Sequence, residues 1–318
     1  MDLYLGLDTS CYTTSVCAVT ADGSIVGDER IILSVSAGGR GLSQSNMVYQ
    51  HTRNLPLLME RLAPRFAGHT IRAIAVTSQP RRREDSYMPA FLAGLGCARS
   101  LAAVLAVPLY TISHQENHLL AVLRSRNTIP DRPFYGLHLS GGTTDLVRAV
   151  PDADGLAITR VGGTSDISAG QFIDRVGVAL GLPFPAGVHL ETLARQCTEH
   201  VKGSHVFCRD GELSFSGPES QAQRSIAQGD VDPARCSAWT LVTVWRGLEI
   251  LLDQCGASAM QQLAAAGGVM SNGFLRQKLT AYCHRHDVEL LLAEEGFSAD
   301  NASGAAFWAA WQERKKSV

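Results

Sequence analysis

No apolar stretch in this chain approaches the roughly 20 residues of a membrane-spanning helix, so a helical membrane protein is excluded. Nor does charge of one sign dominate. The formal net charge is −2, with charged residues only 18% of the chain, so nucleic acid has no global electrostatic footprint and any such contact must be a local basic patch. Its eight cysteines never fall in a Cys-x-x-Cys pair, which predicts reduced thiols in a cytoplasmic protein rather than a disulfide framework. Cys11 and Cys17 read as small packing residues, with a redox pair as the alternative. The opening "MDLYLGLDTS" has an acid at position two and no basic stretch, so it is not predicted to be a secretory signal. What remains is a 318-residue chain, 45% hydrophobic, long enough for two domains with separate cores.

The pattern along the chain predicts such a pair. "LYLGLDTSCYTTSVCAVTADGSIVG" reads as strand, Ser/Thr-rich turn, strand, polar turn at Ala21–Ser24 and strand. The same order returns in "YGLHLSGGTTDLVRAVPDADGLAITRV". At an ungapped offset of 131 residues Thr13 meets Thr144 and Val16 meets Val147, a period too long for a solenoid and suited to a duplicated domain. The join falls near "RSRNTIPDRP". Helices are predicted over 51–62, 89–105, 168–180, 190–196, 233–255, 272–286 and 301–314, with strands at 108–112, 263–266 and 289–292 and an extended "GELSFSG". Strands alternating with helices predict α/β in both halves.

Several segments could carry chemistry. In "SHQENHLLAVLRS", His114 and His118 lie four residues apart, on one side of a helix. They are either half of a metal site needing a third ligand or two surface histidines. Asp300, in "FSADNASGAAFWAA", is either an N-cap or that ligand. Asp8, followed by Thr9 and Ser10 at the end of the first strand, stands where phosphate-handling enzymes hold a carboxylate. "LSGGTTD" is a phosphate loop through Ser140, Gly141 and Gly142, or a plain Gly-Gly hairpin. "AAAGGVMSNGFLRQKL" places Gly267 and Gly268 before Asn272 at a helix start, suited to a flat ring or a phosphate, or to an ordinary capped turn. Asp174, Gly187 and Glu191 are candidates for ribose hydroxyls, or lie on a solvated face. Arg81-Arg82-Arg83, followed by Glu84-Asp85, reads as a solvated loop rather than an anion site.

Taken together, "LDTSC", "SHQENH", "LSGGTTDL", "GQFIDRVGVALGLPFPAG", "AAGGVMSNGFLR" and "SADNASGAA" closely resemble the tRNA threonylcarbamoyladenosine transferases, TsaD and its homologues, once classed as glycoproteases (peptidase M22). The resemblance covers nearly the whole chain. It implies the fold of the sugar kinase, actin and heat-shock ATPase superfamily, two similar α/β domains with a nucleotide cleft between them. The first domain would be 1–130, with the 300–318 helix packed back on it, and the second 131–299. It implies His114, His118 and Asp300 as ligands to Fe or Zn, or Mg, and Ser140, Gly141, Gly142, Asp174, Gly187, Glu191, Gly267, Gly268 and Asn272 around ATP or threonylcarbamoyl-adenylate. It implies transfer of the threonylcarbamoyl group to N6 of adenosine 37 of tRNA, with Asp8, Thr9 and Ser10 as candidate catalytic residues, in the cytoplasm. A homodimer or partner protein would dock on the first domain's helices. A peptidase reading has no support, because "HQENH" lacks the glutamate directly after the first histidine of H-E-x-x-H.

The chain also departs from the family's pattern. Asp8 stands where Glu is usual, Tyr12-Thr13 where an acidic pair is usual, Thr143 for a loop histidine, and Gln171 for Glu. The charged stretch around Glu84–Ser86 replaces a Gly-Pro-Gly turn. The alternative is therefore a divergent paralogue that binds metal and ATP but carbamoylates another acceptor, or regulates through ATP binding.

Overall fold

In the computed structural model, residues 1–10, 12–35, 42–229, 231–256 and 260–316 are described; Cys11 lies outside them. The chain forms two compact units. The first comprises 1–132, 150–158 and the stretch from Ala293 onward, and the second 133–149 and 159–292.

The first unit is built on β1 (Asp2–Thr9), β2 (Thr13–Thr20), β3 (Ile25–Ile32), β4 (Thr70–Gln79) and β5 (Leu109–Ser113), ordered β3-β2-β1-β4-β5. The first three strands are antiparallel, while β4 and β5 add in parallel. β1 is buried from Leu3 to Thr9, the continuous run expected of a strand covered on both faces. Leu5 and Leu7 pack with Leu55, Leu58 and Leu62 of α1 (Gln44–Leu62) and Ala98 and Ala102 of α2 (Phe91–Leu105). Each leucine buried there stabilises the unit by about 1.5–3 kcal/mol. On the opposite face the small-residue helix α9 (Ser303–Lys316) lies directly on Gly6, where a Cβ would stand 2.3 Å from the Ala302 carbonyl. α3 (His114–Arg124) packs beside α9. α1 begins seven residues earlier than its apolar periodicity predicts, at Gln44, because Ser43 caps it by accepting from Asn46 N.

The second unit repeats this plan. β6 (Phe134–Leu139), β7 (Thr144–Pro151) and β8 (Leu156–Thr164) are the antiparallel trio, and β11 (Gln262–Ala266) and β12 (Glu289–Leu292) add in parallel beyond β6. β7 starts and ends 131 residues after β2, as the sequence repeat predicts. Short β10 (Glu212–Ser214) and β9 (Phe207–Arg209) extend the far edge. The core gathers Phe172 of α4 (Ala169–Ala179), Leu190 of α5 (Gly187–Ala194), Val244 and Leu248 of α7 (Pro233–Gln254), and Leu279 of α8 (Gly273–Arg285). "GELSFSG" is extended only through Ser214. A helix unforeseen in the sequence, α6 (Ser216–Ala227), follows at once. The Asp166 carboxylate accepts from Phe215 N at 3.0 Å and Ser216 N at 3.2 Å, holding its first turn from a distant loop.

Candidate functional site

The metal candidates gather at the carboxyl ends of β1, β4 and β5, the side of a parallel sheet where ligands sit. β5 ends at Ser113, whose hydroxyl accepts from Glu116 N while Glu116 Oε2 accepts from Ser113 N at 2.7 Å. This capping box starts α3 at His114 and points one carboxylate inward. One turn on, His118 is buried, and its Nε2 lies 3.0 Å from His114 Nε2. Asp300 Oδ1 stands 3.6 Å from His114 Nε2 and 3.4 Å from His118 Nε2. Two nitrogens and one carboxylate oxygen thus form a triangle with edges of 3.0–3.6 Å. That is the spacing of neighbouring donors around one ion held at about 2.0–2.2 Å. The donor set is the facial two-histidine, one-carboxylate type, which leaves open positions for a substrate. The residues fit a divalent transition metal.

Asp8 lies at the carboxyl end of β1, as the sequence predicts. It is fully buried, and its Oδ1 faces His114 Nδ1 at 3.1 Å and accepts from Thr77 Oγ1 at 2.5 Å. It stands behind the histidine rather than on the ligand triangle, the outer carboxylate that fixes a ligating imidazole's tautomer. Burial opposes charge on His114, but the charge and hydrogen bond of Asp8, with Asp300 behind, outweigh it and lift the ring to about 9. Thr9 Oγ1 donates to the Ala90 carbonyl and accepts from Gly94 N, both at 3.1 Å, so this buried hydroxyl ties α2 to β1. Ser10 Oγ is buried and has no hydrogen-bond partner among the described residues.

Asp300 precedes α9 rather than sitting in its first turn, and Asn301 makes the capping bond, Oδ1 accepting from Ser303 N at 2.8 Å. Between the histidines, Asn117 Nδ2 donates to the Asn301 carbonyl at 2.6 Å and its Oδ1 accepts from Ala305 N at 2.8 Å. Glu116 Oε1 accepts from Leu156 N at 2.8 Å. Gly155 closes over it, where a Cβ would fall 2.1 Å from that oxygen. Arg82 is not the solvated side chain expected of its loop. It bonds Asp152 at 2.9 Å and lies 3.8 Å from Glu116. The Ser-x-x-Glu pattern at 113–116 was the available signal for the capping box. Nothing local announces Thr77 or Asn117.

The nucleotide candidates lie in the second unit. Ser140 Oγ accepts from Gly142 N at 3.3 Å and Thr143 N at 3.0 Å, holding the loop in a tight turn. Cβ atoms on Gly141, Gly142 or Gly268 would meet nothing within 4 Å, so there is open space beside this backbone, although the Gly142 amide already donates to Ser140 Oγ. Gly267 has a φ of +99° and would place a Cβ 2.1 Å from the Leu139 carbonyl, which only glycine tolerates. Asn272 Oδ1 caps α8 through Leu275 N at 3.0 Å, and its buried Nδ2 has no hydrogen-bond partner among the described residues. Glu191 Oε1 accepts from Gly273 N at 3.0 Å, bringing α5 to that turn. Asp174 accepts from Ala186 N at 2.8 Å at the start of α5, beside Gly187. Burial raises its carboxyl, moderated by the Ala186 and Gly187 amides. Gln171 replaces the expected glutamate without loss of the cap, accepting from Ser168 N at 3.1 Å.

Solved structures share this architecture. HypF in its phosphate- and nucleotide-bound form superposes with a TM-score of 0.61 at 13% identity, over 98% of this chain and 55% of that one. A ROK family glucokinase from Streptomyces griseus, in complex with glucose and AMPPNP, gives 0.54 at 12% identity, over 98% and 99%. Fold and duplicated topology are those of the sugar kinase, actin and heat-shock ATPase fold class. Within that class the chain belongs to the TsaD family, tRNA N6-adenosine threonylcarbamoyltransferase, whose profile matches residues 41–307. It is 30% identical to the tRNA N6-adenosine threonylcarbamoyltransferase of Syntrophobacter fumaroxidans over 98% of this chain and 94% of that protein. To that of Sorangium cellulosum it is 29% identical, over 95% and 89%. No helix among the described residues is long and apolar enough to cross a membrane.

Proposed function

We propose that this protein transfers a threonylcarbamoyl group from its adenylate to N6 of adenosine 37 of tRNA. In that step the adenosine amine forms a bond to the carbamoyl carbon, the bond from that carbon to the phosphate oxygen breaks, AMP leaves, and the amine loses a proton. The observation that carries the reading is the His114–His118–Asp300 triangle with Asp8 behind it, in a chain of this family. A divalent metal there, Fe or Zn with Mg the third candidate, would polarise the phosphate or carbonyl. Asp8 would hold the His114 Nδ1 proton so that Nε2 stays free to ligate. The 140–142 loop and Gly268 would receive phosphate on backbone amides, while Asp174, Glu191 and the Asn272 amide would take the nucleoside. A heteromeric partner or second copy would dock on α1 and α2, where Leu57, Leu92, Val104 and Leu105 are exposed.

The test is a transfer assay with the full chain, the adenylate-forming synthase, threonine, bicarbonate, ATP, unmodified tRNA and the family's partner proteins. Modified adenosine 37 is the expected product. Its absence, beside a family member that is active in parallel, overturns the tRNA acceptor. Tyr12, 42% exposed where the family carries an acid, and the charged stretch around Glu84–Ser86 where a Gly-Pro-Gly turn is usual favour the second reading, a paralogue serving another acceptor.

A further inference from the structure

The third metal ligand comes from a different part of the chain than the other two, so something must hold the 294–301 loop in register with α3. Phe297, three residues before Asp300, lies between two guanidinium groups. The Arg30 centre is 4.8 Å and the Arg124 centre 4.9 Å from its ring centroid. Both arginines bridge this loop to other parts of the first unit. Arg30 Nη1 donates to the Gly296 carbonyl at 2.7 Å and Nη2 pairs with Asp28 at 2.8 Å. Arg124, buried at the end of α3, donates to the Gly23 carbonyl at 3.1 Å and to Glu294 Oε2 at 2.5 Å. Among the described residues the Nε of each arginine has no hydrogen-bond partner, as expected of groups packed against a ring face rather than turned edge-on to an acceptor.

The loop downstream is fixed from the ring. Asn301 Nδ2 donates to the carbonyls of Phe297 at 3.0 Å and Ala299 at 2.8 Å. Asn117 then binds the Asn301 carbonyl. Asp300 thus sits between two anchors, Phe297 and Asn301. Each is referenced to α3, through Arg124 and Asn117, and α3 is the helix that carries His114 and His118.

We propose that Phe297, held by Arg30 and Arg124, is a positioning residue that sets the Asp300 carboxylate for metal. The inference rests on the metal reading above and adds that metal affinity is controlled from a ring three residues before the ligand Asp300. Cation–π contacts suit this role because they hold a loop without placing a competing acceptor near the ligand oxygen.

The experiment measures Zn²⁺ affinity of the full chain by competition with a chromophoric chelator, and the visible spectrum of the Co²⁺-loaded protein. Wild type should bind one equivalent and His118→Ala none. Phe297→Leu should bind ten- to a hundredfold more weakly, the range seen when an outer support of a ligand is removed, with an altered Co²⁺ spectrum. Its unfolding temperature in chelator should stay close to wild type. Phe297→Trp should restore affinity. Arg124→Lys, which keeps the charge but not the planar face, should weaken binding like Phe297→Leu and decides the matter if that variant fails to fold. Zn²⁺ binding within twofold of wild type and an unchanged Co²⁺ spectrum in both variants overturn the proposal while leaving the metal site intact. No metal on wild type, or equal metal on His118→Ala, overturns the metal reading itself and the positioning role with it.

Discussion

The two units build their candidate sites from opposite materials on one plan. At the 131-residue offset the turn "DTSCYT" after β1 corresponds to "LSGGTT" after β6. In the first unit the turn begins with a buried carboxylate, Asp8, and the site consists of side chains held by other side chains. In the second it offers bare backbone at Gly141 and Gly142, backed by Gly267 pressed on the Leu139 carbonyl. A buried carboxylate needs partners on every side, which explains Thr77 and His114 around Asp8. A backbone cradle needs room, and so it carries glycines. On the proposed function, the same strand–turn–strand would support a cation in one copy and an anion in the other.

Removing a ligand breaks the first site outright. His118→Ala should abolish metal binding and lower transfer at least ~100-fold, checked by metal content and the tRNA assay. In the second unit the largest effect is on folding. Gly267→Ala must move the Leu139 carbonyl and leave a favoured φ, and should cost about 2–3 kcal/mol in denaturant unfolding. Asp8→Asn sharpens the contrast, since it keeps the volume but loses the outer carboxylate. Zn²⁺ affinity should fall ten- to a hundredfold with the fold retained. Gly142→Ala should leave stability within about 0.5 kcal/mol, because a Cβ there meets nothing, yet weaken ATP binding measured by calorimetry. Unchanged ATP binding would argue against the phosphate loop.

The smallest effect concerns α6. Burial pushes the Asp166 carboxyl up, but hydrogen bonds from Ser214, Ser216 and the Phe215 amide outweigh it and hold the group below its ordinary value. A depressed carboxyl contributes stability above its unfolded pKa of about 3.9 and loses it as pH falls through the folded value. Asp166→Asn should therefore cost about 1 kcal/mol near neutral pH, and the difference from wild type should shrink under acid. An unfolding series across pH checks this.

Much of the architecture was legible locally. Apolar runs and polar turns marked β1 to β3 and their repeat, because a buried strand must be apolar whatever surrounds it. α6 was not legible. "SFSGPES" has the composition of a loop, and the side chain that holds its first turn comes from Asp166, a sheet strand away. The α1 start was missed for the opposite reason, since its first turns are polar and only the Ser43 cap marks them.

By itself the sequence determined the α/β class, the duplication at 131 residues, the helical spacing of His114 and His118, and the glycines that make the second-unit turns permissive. Those properties depend on neighbours within a turn or a strand. Only the tertiary structure decided that Asp300 closes the triangle from ahead of α9 rather than capping it, that Asp8 supports His114 from behind, that Arg82 is tied to Asp152 and Glu116, and that Phe297 lies between Arg30 and Arg124. Each of these joins residues tens to hundreds of positions apart, and such contacts form only when buried polar groups must find partners across the packed fold.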